Sequence, residues 1–70
     1  MIIGAGDGAS LFLNNIHESA YYSGANPICL IDDDSSKKGL RINNVKVMGT
    51  RQDIIRLAKD LNITIYIRLI

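Results

Sequence analysis

The sequence predicts a small α/β fold in three layers, β-α-β-(β-hairpin)-α-β, with a parallel sheet between its helices. Three observations carry that prediction. The hydrophobic period switches repeatedly between 2 and 3.6 along the 70 residues; a wholly apolar run, Ile28-Cys29-Leu30-Ile31, stops abruptly at three aspartates; and each of two amphipathic stripes begins just after a glycine turn. A chain of this length makes one domain at most and buries only about 60% of its unfolded surface, so we expect a partial domain of a larger protein, residues 1–70 forming a single unit.

Met1-Ile2-Ile3 is a short apolar run read as a first strand, and Gly4-Ala5-Gly6-Asp7-Gly8-Ala9 follows it as a glycine turn. From there Ala9, Phe12, Leu13, Ile16 and Ala20 recur on one helical face, predicting a helix from Asp7 to Tyr21. Pro27 lacks a donor and Gly24 suits a left-handed stop, so Ser23 to Pro27 cannot continue it. The run from Ile28 to Ile31 reads as a second strand covered on both faces. After polar residues 35–39, Leu40-Arg41-Ile42 and Val45-Lys46-Val47-Met48 flank Asn43-Asn44, and asparagine tolerates positive φ, so a tight hairpin is expected. Thr50 and Asp53 have the spacing of a capping pair, and Ile54, Leu57, Ala58 and Leu61 supply a second helical face that ends at Asn62. Ile63, Ile65, Ile67 and Leu69 then alternate with polar residues as a last strand.

Strand, Gly-x-Gly-x-x-Ala, helix, strand and acid is the order of a dinucleotide-binding half-domain. On that reading Gly4 permits the tight turn, Gly6 lets the backbone approach a pyrophosphate, and Ala9 keeps the helix close to the sheet. Free N–H groups at the helix start face the anion. Asp32 follows Ala9 by 23 residues and ends the second strand, where its carboxylate can accept from ribose hydroxyls. The same glycines fit the Gly-x-Gly-x-Gly loop of methyltransferases, but the strand before them, Met-Ile-Ile, lacks the acid usual there. NAD is favoured over NADP, because the Asp32–Asp34 cluster should repel a 2′-phosphate that Lys37 and Lys38 could otherwise meet. Consecutive carboxylates on an extended chain point alternately, so a metal site at these aspartates is not expected.

Other chemistry is thin. Eight basic against seven acidic residues give +1, scattered except at Lys37-Lys38, which points to neither nucleic acid nor a membrane surface as partner. No apolar run approaches the ~20 residues of a membrane helix. Cys29, the single cysteine, has no partner for an internal disulfide and reads as a small buried residue, while His17 is expected on the exposed side of the first helix. Tyr21 and Tyr22 are expected to pack at the helix end and Tyr66 on the last strand; the residues four positions beyond these tyrosines are Ala25, Asn26 and Ile70, so no Tyr-x-x-x-Lys proton-transfer pair exists. No catalytic residue is assigned, and a reducing, cytoplasmic setting is expected.

Ile2-Ile3-Gly4-Ala5-Gly6-Asp7, Ile31-Asp32-Asp33-Asp34-Ser35-Ser36-Lys37-Lys38-Gly39 and Val45-Lys46-Val47-Met48-Gly49-Thr50 together resemble one family across nearly the whole chain. It is the Rossmann-like nucleotide-binding domain of bacterial polysaccharide-biosynthesis proteins, the nucleotide-sugar 4,6-dehydratases and epimerases. The resemblance implies a fragment that binds NAD(P) or a nucleotide-sugar, with Gly4, Ala5, Gly6, Asp7, Gly8 and Ala9 along the phosphates and Asp32 and Asp33 beside a ribose or adenine. Similar segments occur in sugar acyltransferases, sugar phosphotransferases and CoA-binding domains, so CoA is a further candidate ligand. The rival reading is a non-catalytic regulatory or assembly module whose turn is structural. In either case a main strand order of 3-2-1 would leave one wall of the crevice missing and the first strand's edge open, pointing to a homo-oligomer or to docking on the rest of a larger protein.

Overall fold

The computed structural model describes residues 1–22 and 24–69. The expected exposed position of the His17 side chain lies outside the described residues, as do Ser23 and Ile70. The chain forms a mixed five-stranded sheet with two α-helices. In chain order these are β1 (Ile2–Ile3), α1 (Asp7–Asn15), β2 (Leu30–Ile31), β3 (Arg41–Ile42), β4 (Val45–Gly49), α2 (Ile54–Asp60) and β5 (Ile67–Arg68).

Side-chain alternation in the strands builds two cores, one on each face of the sheet. Ile2, Leu30 and Val47 point to one side and meet Ala9 and Leu13 of α1. Ile31 and Cys29, with half-buried Ile3 and Met48, point to the other side and meet Leu57 of α2. The helices therefore cover opposite faces, which is why β1 and β2 are apolar at every position. Leu30, Ile31, Val47 and Cys29 are the largest fully buried side chains.

The strand order is β3-β4-β2-β1-β5, and this corrects three expectations. The sheet is not wholly parallel: β1–β2, β1–β5 and β2–β4 are parallel, but β3 runs antiparallel to β4. The order 3-2-1 does not hold, because the last strand lies beside β1 and it is the hairpin strand β4 that lies beside β2. The first strand therefore has no open edge; β3 and β5 are the edges. The β1–β5 ladder is longer than its two assigned residues, with Met1 N–H donating to the Ile65 carbonyl, Ile67 N–H to Met1 and Leu69 N–H to Ile3, each at 2.9 Å.

Element ends differ from the sequence reading for local reasons. α1 stops at Asn15, six residues short of Tyr21, and passes into a 3-10 turn over Ile16–Glu18. The Asn15 amide donates to the Leu11 carbonyl at 2.9 Å, a side-chain bond that competes with continuation of the helix. Tyr22 packs edge-on against Phe12, their ring centres 5.6 Å apart, whereas Tyr21 is 92% exposed and meets only the tilted ring of Tyr22, 6.3 Å away. Asn43 and Asn44 both take positive φ, +50° and +66°, making the two-residue turn that matches the twist of a hairpin. Thr50 and Asp53 form the capping box, with Thr50 N–H donating to Asp53 Oδ2 at 2.9 Å, although the first turn is 3-10 and α2 proper begins at Ile54. Asn62 at φ +54° ends α2, letting Ile63 N–H reach back to Ala58 O at 2.9 Å.

Candidate functional site

The glycine turn and the three aspartates gather where the parallel strands end. Gly4 leaves β1 at φ +115°, a conformation that a side chain would strain, and its N–H donates to the Ile31 carbonyl at 2.7 Å. The chain then turns into α1 through Gly6 in an extended conformation. Ala9, 1% exposed, sits in the core beneath α1, so a larger residue there would push helix from sheet. Gly6 and Gly8 are different from Gly4. A Cβ built on either would meet nothing within 4 Å, and neither has a left-handed φ. No contact within the described residues requires a glycine at these two positions.

Asp32 ties the turn to the neighbouring strand. Its Oδ2 accepts the Ala5 N–H at 2.9 Å and lies 3.6 Å from Lys37 Nζ, while Oδ1 accepts the Asp34 N–H at 2.8 Å. Those backbone bonds, Asp34's first and then Ala5's, with the Lys37 ammonium adding to them, hold its carboxyl below the usual aspartate range. The group is a fixed anion that keeps one acceptor position on Oδ1 for a further donor.

The other two aspartates point elsewhere. Asp33 faces Arg51, accepting its backbone N–H at 3.0 Å and lying 3.3 Å from its Nε, so it joins the β2 end to the start of the α2 segment. Asp34 accepts from the Ser36 N–H and hydroxyl, at 3.0 and 2.6 Å, and caps the 3-10 turn over Ser35–Lys37. The three carboxylates thus serve three different partners.

Two concavities flank this junction. On the α1 side a shallow depression of about 460 Å³ is lined by Ala5, Gly6, Asp7, Ser10, Lys37 and Arg41 among others. The N–H groups of Gly6, Asp7 and Gly8 have no partner among the described residues, as expected at a helix start. Ala5 is unlike them, since Asp32 already takes its amide. On the α2 side a cleft of about 310 Å³ has an apolar floor of Ile3, Ile31 and Ile54 and a charged rim of Asp32, Asp33, Arg51 and Arg68. Asp32 belongs to both, lining the cleft while bonded to the wall of the depression.

Compared with models of protein families, with curated proteins and with solved structures, the chain matches none. Of the residues expected at the site, Ala5, Gly6 and Asp7 line the depression and Asp32 is bonded to Ala5, while Ala9 is buried in the core, Gly8 lines a groove along α1, Gly4 forms the turn and Asp33 lies on the cleft rim engaged with Arg51. Sequence reasoning missed Arg41, Arg51 and Arg68, which join the site only through strand order. Cys29 is fully buried on the α2 face, where desolvation pushes its thiol up from the ordinary value, and it takes no part. Among the described residues no helix is long and apolar enough to cross a membrane.

Proposed function

We propose that this chain is a nucleotide-binding unit on a Rossmann-like plan, holding the diphosphate of NAD(P) or of a nucleotide-sugar on the amides of Gly6, Asp7 and Gly8. Asp32 receives a ribose hydroxyl on its remaining acceptor position, and the apolar-floored cleft takes the attached base. The observation that carries this reading is the open space at Gly6 and Gly8. Gly4 is explained by its own backbone and Ala9 by packing, but the two glycines between them leave bare backbone beside unpaired amides, which is what close approach of an anion needs.

Sheet order supports it. The connection through α1 leads from β1 to β2 on one side, while α2 brings the chain back to β5 on the other, and ligands of open α/β sheets lie where such an order reverses. NAD is favoured over NADP because a fixed carboxylate at the ribose disfavours a 2′-phosphate. The parent protein, on the resemblance of its motifs, is a nucleotide-sugar dehydratase or epimerase, and the chemistry belongs to parts outside these residues.

Titration calorimetry of the chain with NAD, NADP, CoA and a UDP-sugar tests the reading, which requires one of the four to bind clearly better than the rest. Gly6→Val should abolish that binding with no loss of thermal stability, since its side chain meets open space in the free protein. Gly8→Ala should weaken binding and raise stability by about 0.5–1 kcal/mol, the usual gain of replacing a helical glycine. If both variants bind as the parent chain does, the proposal fails.

A further inference from the structure

The backbone edge of β5 is left free by that site, although the Arg68 side chain lines its cleft. Because Ile65, Ile67 and Leu69 engage the backbone of Met1 and Ile3, alternation turns the N–H and C=O groups of Tyr66 and Arg68 outward. The two faces of this edge also hold uncovered apolar surface. On the α1 face a groove of about 390 Å³ runs between the helix and the edge, lined by Leu11, Phe12, Ile16, Tyr22 and Leu69. Leu11 is 66% exposed, Ile65 53% and Tyr66 51%. The whole chain exposes 4804 Å², several hundred Å² more than the roughly 4,300 Å² that a folded monomer of its mass presents.

We propose that β5 pairs antiparallel with β5 of a second copy of this chain, centred on Ile67, making one continuous sheet across a two-fold axis. The register follows from backbone and charge. Only the outward-facing residues can exchange ladder bonds, so the axis passes through position 66, 67 or 68. Centring on Arg68 would set Arg68 against its own copy, which like charges directly opposite disfavour. Centring on Ile67 instead sets Tyr66 against the second copy's Arg68, and Arg68 against its Tyr66, so that two ladder pairs form and each guanidinium lies over an aromatic ring. Centring on Tyr66 leaves both guanidiniums without that ring. An axis normal to the sheet also brings the two α1 grooves side by side, so that Leu11 and Tyr22 of each copy cover the other's. The pairing shares Arg68 with the rim of the cleft and Gly8 with the lining of the groove, so it is tested on the chain without nucleotide.

Sedimentation equilibrium of the chain over a range of micromolar concentrations should give twice the 7.7 kDa monomer mass. Two substitutions at one half-exposed position, outside both cores, then separate charge from folding. Tyr66→Lys sets lysine against arginine twice and should weaken the dimer about tenfold or more; Tyr66→Glu replaces the aromatic contact by an ion pair and should keep affinity near that of the parent. With Cys29→Ala as background, Ile67→Cys should form an intermolecular disulfide on mild oxidation, because the central pair is a close, non-hydrogen-bonded one. A monomeric mass throughout, equal effects of the two Tyr66 variants, or crosslinking through Arg68→Cys in preference to Ile67→Cys would each overturn the proposal.

Discussion

Asp32 is the residue on which the site turns, and its ionisation has a measurable signature. Its carboxyl is held low by the Asp34 and Ala5 amides and by Lys37, so in the unfolded chain it takes up a proton at higher pH than in the fold. The resulting stabilisation is complete above the ordinary aspartate value near 4 and is lost as pH falls through the folded value. Asp34 and Asp53 are shifted the same way by their own hydrogen bonds, to Ser36 and to Thr50. Urea midpoints measured from about pH 7 down to about pH 3 should therefore fall on the acid side, and Asp32→Asn should make that fall shallower without removing it. An acid limb as steep in the variant as in the parent would show that the Asp32 bonds to Ala5 and Asp34 do not persist in solution. Little of this was written locally in the sequence: the offset of Asp32 from the glycines marks it as a strand-end acid, but only the fold reveals that Asp33 and Asp34 have partners of their own.

At the scale of elements, Gly49 shows how a strand end and a helix start constrain each other. It closes β4, and a Cβ there would come within 2.8 Å of Asp53 Cγ, the side chain that caps the next segment at Thr50. Gly49→Ala must displace that side chain, and overpacking of this kind typically costs about 1–3 kcal/mol. Thermal melts should show the loss, and a melting point equal to the parent's would mean that the cap swings aside freely. Most elements were legible because their signals are local: the glycine turn, the Asn43-Asn44 turn, the Thr50–Asp53 cap and the stop at Asn62 each depend on a few neighbouring residues. The end of α1 was not, since apolar spacing continues through Ile16 and Ala20 after the Asn15 amide has already turned back on the Leu11 carbonyl. Spacing tells which face is buried, not where hydrogen bonding changes.

For the molecule as a whole, strand order was the part misread from the sequence, as 3-2-1 with β1 at an open edge, although a clue to the true order was present. Met1-Ile2-Ile3 is apolar at every position, as a strand covered on both faces must be, whereas Ile63 to Leu69 alternates with Thr64, Tyr66 and Arg68, as an edge strand can. Those patterns place β1 inside and the last strand outside, which is what the sheet shows. The core so formed is small, and its centre is sensitive. Leu30 is fully buried between β1 and β4, and Leu30→Ala should cost about 2–5 kcal/mol, a large part of the roughly 3–10 kcal/mol available to a chain of this size. A fall in melting temperature of more than about 10 °C is expected, with Ile55→Ala, at an 85% exposed position, as the unaffected control.

The bond between Met1 and Ile65 spans 64 positions of sequence, and it ties β1 to the edge strand β5. During synthesis the hairpin and the β2–β4 pair can form as soon as residue 49 has emerged, but β1 must wait, half-covered, for residues 65–69 to follow. A nascent chain stalled before residue 65 would hold its most apolar strand with one flank bare, and that interval is when a chaperone or a neighbouring polypeptide would find it.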